Sequence, residues 1–315
     1  MRGGAVLVLG GSYALSQQQF PGGITVEALQ GTLNEMLASY GIGVGEAMVL
    51  DPQNEPFPVQ VARQVAGMQV VEIQEVNYPF FVDVRPDNMS DDSPIVSSLP
   101  AVTLHWASPL TVTETADEDR EMTVLLESTG GAWLRTSPDV QPNPDLYPEY
   151  GFPVEGEQAQ RTLAVAVRGT FDSFFRDKAS PFAQTGTVTD TVQGPAGTIE
   201  TSPASARLVV VGSSEFVDDV MLDLSRSLSA DRYLNNLQLV QNAVDWLAED
   251  EDLLTIRSGG TYTRLLEPME PEQQSTWEIA NYGLALAALV AIGAVWQVRR
   301  RNEEPMELVD EGGAE

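Results

Sequence analysis

Residues 207–216, Arg207-Leu208-Val209-Val210-Val211-Gly212-Ser213-Ser214-Glu215-Phe216, are the stretch on which the fold turns. Residues 208–211 form an unbroken apolar, mostly β-branched run, the pattern of a buried strand. Gly212-Ser213-Ser214 predicts a turn and an N-cap, and the anions of Asp218-Asp219 suit the first turn of a helix. Val217, Val220, Leu224 and Leu228 then share a helical face. After Asp231, the residues Leu234, Leu237, Val240, Val244 and Leu247 recur at spacings of 3, 3, 4 and 3, which predicts a second helix. Residues 253–256 read as a closing strand.

Outward from this block, strands continue to alternate with helices. Residues 5–9 are a continuous apolar run closed by Gly10-Gly11-Ser12. Val26, Leu29, Leu33, Met36 and Leu37 predict a helix that Gly41 stops. Residues 44–50 return to strand and Asp51-Pro52-Gln53-Asn54 turns the chain. Further strands are predicted at 69–74, 80–84, 102–104, 122–126 and 162–170, with a short helical piece near 95–99. Residues 137–160 hold five prolines and no periodicity, and so read as a long loop or surface excursion. Residues 194–206 read as a small-residue linker. The alternation predicts an α/β sandwich with a mostly parallel sheet.

Composition removes whole classes of chemistry. The chain has 315 residues, with 46 acidic and 17 basic side chains and a net charge of −29. Such a surface excludes general nucleic-acid binding. Cysteine is absent, so thiol nucleophiles, disulfides and zinc–thiolate sites are excluded. His105 is the only histidine and Lys178 the only lysine. Histidine-cluster metal sites are therefore impossible, and Lys178 lies in Arg-Asp-Lys-Ala-Ser rather than in a phosphate-binding G-K-[ST] loop. Neither a metal nor a cofactor is expected.

The carboxy-terminal part carries a different signal. Between Glu278 and Arg299 lie twenty uncharged residues, IANYGLALAALVAIGAVWQV. As a helix they span roughly 30 Å, the thickness of a bilayer core. Ile279, Tyr282, Gly283, Ala287, Ala291, Trp296 and Val298 belong to this predicted span. Trp277 and Tyr282 mark one interface and Trp296 the other. Gly283, Ala287, Ala291 and Ala294 form a small-residue face suited to helix contact or to lipid. Arg299, Arg300 and Arg301 orient the span, because flanking arginines stay cytoplasmic. The expected division is an extracytoplasmic domain over 1–256, a connector over 257–276, a transmembrane helix over 277–298 and an acidic cytoplasmic tail over 299–315. Export of the body requires a signal that residues 1–9 supply poorly, so an upstream membrane segment is expected; a tail-anchored protein facing the cytoplasm is the alternative.

Catalytic candidates are few. Gly10-Gly11-Ser12-Tyr13-Ala14 follows a strand and resembles a nucleophile elbow, with His105 as the sole base available to Ser12. The same residue types make ordinary turns. Gly212-Ser213-Ser214-Glu215-Phe216 is a second such turn, where Glu215, Asp218 and Asp219 would repel an anion. The acidic clusters at 87–92 and 117–121 lack the spacing of a calcium loop.

Ordered phrases along the chain resemble the gliding-motility GldG-like auxiliary proteins of ABC transporters. They are Leu33-Asn34-Glu35-Met36-Leu37-Ala38-Ser39-Tyr40-Gly41-Ile42 with Val49-Leu50-Asp51-Pro52-Gln53-Asn54, then Ala107-Ser108-Pro109-Leu110, and Leu125-Leu126-Glu127-Ser128 with Ala132-Trp133. Leu163-Ala164-Val165-Ala166-Val167 with Gly169, Phe171 and Ser173 follows, then Arg207 to Phe216, Asn242-Ala243-Val244-Asp245-Trp246-Leu247-Ala248 and Ile256-Arg257. The resemblance implies a three-layer domain of flavodoxin-like or glutamine-amidotransferase-like topology tethered by a C-terminal helix. It implies a non-enzymatic partner of a permease and a separate ATP-binding subunit, in gliding motility or envelope export. No catalytic residue carries over, and the amidotransferase cysteine has no counterpart here. A stand-alone ligand- or glycan-binding ectodomain and a Ser12/His105 hydrolase are the rival readings.

Overall fold

The computed structural model describes residues 3–16, 25–29, 31–65, 68–113, 120–176, 178, 199–229, 232–248 and 271–301. In chain order the elements are β1 (Ala5–Leu9), β2 (Tyr13–Leu15), β3 (Val26–Ala28), α1 (Leu33–Ser39), β4 (Ile42–Val44), β5 (Met48–Leu50), β6 (Phe57–Val65) and β7 (Met68–Val76). Then follow β8 (Phe81–Val84), β9 (Val102–His105), β10 (Leu110–Val112), β11 (Arg120–Glu127), β12 (Trp133–Arg135), β13 (Thr162–Gly169) and β14 (Arg207–Val211). The helices α2 (Asp219–Ser229), α3 (Arg232–Leu247) and α4 (Pro271–Arg301) complete the set. The chain divides into two compact units, Met1–Thr263 and Arg264–Glu315.

The main sheet of the first unit has the order β1-β14-β13-β10-β4, with β11 also pairing β13. All five residues of β14 are buried, because both faces of the strand are covered. Val209 and Val211 face a cluster with Leu7, Leu9, Ala164, Ala166 and, from α3, Leu239 and Ala243. Leu208 and Val210 face the other way, with Val8, Val165, Val167, Ile42 and, from α1, Leu37. The period-2 alternation of three adjacent strands thus feeds two cores, and each buried valine or leucine contributes roughly 2 kcal/mol.

The sheet is mixed, which corrects the expectation of a mostly parallel one. Among the described strands only β1 and β14 pair in parallel; β13 with β14, β11 with β13, β10 with β13 and β4 with β10 are antiparallel. The reason lies in the connections. Parallel neighbours need a long crossover, usually helical, and no described residue between β10 and β14 is in an α-helix.

Smaller hairpins extend the unit: β2 with β3, β6 with β7, β8 with β9, and β12 with β5. A second, aromatic core lies among them, with Tyr78, Phe80, Phe81, Trp106 and Trp133. The proline-rich stretch at 137–160 is irregular, as its composition predicts, but it is no mere surface excursion. Val140 and Phe152 are buried in the aromatic core, and the Tyr78 hydroxyl donates to the Val140 carbonyl at 2.7 Å.

Several sequence expectations shift in detail. The first helix starts at Leu33, while Val26 lies in β3 and Leu29 is exposed. Its stop is as expected: Gly41 adopts φ +86°, a left-handed turn that suits glycine. The strand expected over 44–50 is two strands separated at Gly45. Residues 95–99 form turns rather than a helix. Helix α2 is capped by Asp218, whose carboxylate accepts from the Val220 amide at 2.9 Å, and not by Ser214. The closing strand at 253–256 and the linker residues 194–198 lie outside the described residues.

Helix α3 departs most from its sequence pattern. Its buried residues are Asn236, Leu239, Asn242 and Ala243, whereas Leu234, Leu237 and Val244 are exposed. The asparagines face inward because backbone groups await them there. Asn236 accepts from the Thr103 amide (3.0 Å) and donates to the carbonyls of Thr103 (3.0 Å) and Phe216 (3.1 Å). Asn242 donates to the Ile95 carbonyl at 3.0 Å. A leucine in place of Asn236 would strand these buried groups. Asn236→Leu is expected to lower stability by roughly 3 kcal/mol in urea denaturation, and Leu237→Ala by no more than about 1 kcal/mol; the reverse order would contradict the orientation of α3.

Candidate functional site

The parallel pair β1–β14 ends in Gly10-Gly11-Ser12 and Gly212-Ser213-Ser214, the place where open α/β sheets usually bind ligands. Here the protein fills that space with its own loop. Ser108 donates its amide to the Gly212 carbonyl at 2.7 Å, and its hydroxyl oxygen accepts from the Ser12 amide at 2.8 Å. A Cβ on Gly11 would lie 2.6 Å from the Gly212 oxygen, and one on Gly212 would lie 2.3 Å from the Ser108 oxygen. The glycines serve close approach of backbone to backbone. Ser12 donates its hydroxyl to the Gly45 carbonyl at 2.8 Å, and Ser213 donates to the His105 carbonyl at 2.6 Å. Neither serine hydroxyl donates to the imidazole.

His105 instead sits in a sealed polar cluster that sequence reasoning did not foresee. It lies at the end of β9, buried, with its ring edge-on to Phe81 at 4.4 Å between centroids and its Nδ1 without a partner. Burial pushes its pKa down to about 4, against the opposing pull of the Glu55 and Asp218 carboxylates. Ser225 of α2 donates to Glu55 at 3.0 Å. Beside them Asp83 of β8 receives Arg85 at 2.6 Å and Arg232 of α3 at 3.2 Å. Burial holds the Asp83 carboxyl above the usual range, with the two guanidiniums opposing. Glu55, Asp83, His105 and Ser225 are all at most 3% exposed, so the cluster joins β8, β9, α2 and α3 internally and offers no path to a substrate. The only advance signal was the isolated histidine in an otherwise apolar strand.

The remaining candidates are dispersed. Asp87, Asp91 and Asp92 are exposed, residues 117–119 lie outside the described residues, and Glu121 is exposed on β11. Among the described residues no group of three or more acidic or histidine side chains could hold a metal. A cavity of about 170 Å³ beside the start of β1 is lined by Tyr40, Phe171, Ser202 and Leu208 among others. That is below the size of ordinary ligand pockets, about 300–1,000 Å³.

In the second unit, α4 is one helix of 31 residues, long enough at about 1.5 Å per residue to cross a bilayer. Residues 275–300 form a candidate membrane span, none of it buried. Ile279, Tyr282, Trp296 and Val298 are exposed, as are Gly283, Ala287 and Ala291. Arg299, Arg300 and Arg301 close the helix, and the Arg300 guanidinium stacks on the Trp296 ring at 5.0 Å.

The buried imidazole makes stability depend on pH. A histidine whose folded pKa lies below its unfolded value contributes fully above pH 6.5, and that contribution is lost as pH falls toward 4. Asp83, Asp51 and Glu215, whose pKa values burial raises, titrate in the opposite sense. Comparison with His105→Leu isolates the imidazole. The wild type is expected to lose up to about 3 kcal/mol relative to the variant between pH 6.5 and 4, measured by denaturant unfolding; a constant difference would refute this.

No curated protein and no solved structure matches the chain. A protein-family match covers residues 1–248, most of the first unit, and the family is described as an ABC-type uncharacterized transport system. The chain belongs to this family of ABC transport system auxiliary components.

Proposed function

We propose that the chain is a non-catalytic, membrane-anchored auxiliary subunit of an ABC transport system. The α/β body stands outside the cytoplasmic membrane, α4 crosses it, and the residues after Arg301 lie in the cytoplasm. The body is presented beside a permease, and a separate ATP-binding subunit supplies the energy. The observation that carries the reading is the run of twenty uncharged residues within α4, with exposed side chains and ended by three arginines, in a chain of this family. Exposed to water, such a helix leaves apolar surface that each residue would bury favourably in lipid. The arginine triplet supports the orientation. The turns of Ser12 and Ser213, filled by protein, and the sealed site of His105 support a role without catalysis.

Fractionation tests the anchor. The intact chain is expected to sediment with membranes, to resist carbonate extraction at high pH and to be released by detergent. A chain ending at residue 270 is expected in the aqueous fraction. Because the chain has no cysteine, Ser275→Cys and Glu303→Cys report orientation with an impermeant maleimide on intact cells. Labelling of Ser275→Cys alone supports the reading, and labelling of Glu303→Cys alone would place the body in the cytoplasm. Co-purification of a permease and an ATPase with the detergent-solubilised chain tests the partners.

A further inference from the structure

Strand β1 ends the main sheet. It pairs β14 along one edge, and among the described residues no strand pairs its other edge. The Gly10 amide donates to the Val211 carbonyl of β14 at 3.0 Å. Successive residues of a strand turn their backbone groups to opposite edges, so Val6 and Val8 bond to β14 as Gly10 does. The amides and carbonyls of Ala5, Leu7 and Leu9 point the other way. Sheet edges are ordinarily blunted by charge, proline or a bulge. Residues 5–9 carry no charge and no proline, and their register with β14 is unbroken. Nothing in β1 opposes a further strand.

The course of α3 says what that strand is. Near its start, Asn236 donates to the Phe216 carbonyl, beyond the tail of β14. In its last turn, the Trp246 carbonyl receives Arg207, at the head of that strand. Helix α3 therefore runs opposite to β14, and its Leu239 and Ala243 share a cluster with Leu7, Leu9, Val209 and Val211. The chain leaves it at the head of β1, because Ala5 stands beside Arg207. A strand that follows α3 runs parallel to β1.

We propose that residues 253–257, Leu253-Leu254-Thr255-Ile256-Arg257, add to the free edge of β1 as a parallel strand.

Length, pattern and tethering support this occupant. From Ala248 to Leu253 the chain reaches about 17 Å, more than the roughly 10 Å diameter of the helix it must descend. The segment has five residues, as β1 does. Leu7 and Leu9 lie beneath α3, whereas Val6 on the opposite face keeps 51% of its surface exposed. The period of two sets Leu254 and Ile256 on the face of Leu7 and Leu9, and Thr255 on the face of Val6. Glu249-Asp250-Glu251-Asp252 stay in the turn, in water. A second copy at this edge would bring another body of net charge −29 against the first. The segment is joined to α3 by four residues, which holds it beside the edge at roughly millimolar effective concentration. The link to α4 then begins at Ser258, and the edge by which the sheet could pair with other chains is taken.

The absence of cysteine makes the test direct. In the detergent-solubilised full chain, Val6→Cys is combined in turn with Leu253→Cys, Leu254→Cys and Thr255→Cys and oxidised with copper–phenanthroline. Neighbouring strands lie about 4.8 Å apart, within disulfide reach. Position 253 or 255 is expected to form the intramolecular disulfide roughly tenfold faster than 254, which turns to the other face. Equal rates at all three positions overturn the strand, and covalent dimers from Val6→Cys alone give the edge to a second copy. Amide exchange gives a second reading. The Leu7 and Leu9 amides are expected to be protected in the full chain and to exchange at least about tenfold faster in Ile256→Asp. The Val8 amide, bonded to β14, should stay protected in both and so reports that the body is folded. Leu7 and Leu9 amides that exchange as fast in the full chain as in the variant overturn the pairing.

Discussion

Five consecutive buried residues in β14 set the terms for the rest of the body. A strand with no exposed residue needs a partner on each edge and a cover on each face, because an unpaired amide or an uncovered valine there would cost about as much as the burial gains. Strands β1 and β13 take the two edges, and α3 and α1 supply the two covers. Arg207, at the head of the strand, is the exception that confirms the demand. Its charge is accommodated by the Trp246 carbonyl and by stacking on the Trp246 ring at 4.9 Å. The glycines at the other end follow from the same crowding, since Gly11, Gly212 and the Ser108 loop converge where the parallel pair stops.

Sequence reading recovered the strands of this core and missed their directions. Strands β1, β8, β9, β11, β13 and β14 were legible because each contains an apolar run, a signal held within the strand itself, and in β8, β9, β13 and β14 nearly the whole run is buried. The mixed sheet was not, since pairing direction depends on connections through 137–160 that carry no periodicity. Strand β6 was hidden by Gln60, Arg63 and Gln64 among its apolar residues. Helix α3 was found, but its apolar spacing did not show which side faces in: Val240 and Leu247 pack against the core while Leu234, Leu237 and Val244 are exposed, because the backbone of Thr103, Phe216 and Ile95, remote in sequence, draws Asn236 and Asn242 inward. Periodicity locates a helix; buried hydrogen bonds decide which side faces in.

The residues that looked most like chemistry follow the same lesson. Ser12, Ser213 and His105 are the types a hydrolase would use, yet the two hydroxyls donate to carbonyls and the imidazole lies in a closed cluster with Glu55 and Asp83 nearby. A polar cluster of this kind stabilises only when its members satisfy one another. What separates structure from catalysis at these positions is access, which sequence does not encode locally. The apolar stretch of α4, by contrast, was fully legible, because its signal is length and composition alone.

The attachment of Arg207 to Trp246 has a mechanical consequence. A force acting on the last turn of α3 passes through the guanidinium into the first residue of β14, which is hydrogen-bonded between β1 and β13. Load entering a sheet along an interior strand is shared by both neighbouring ladders in shear, instead of unzipping one peripheral hairpin bond by bond.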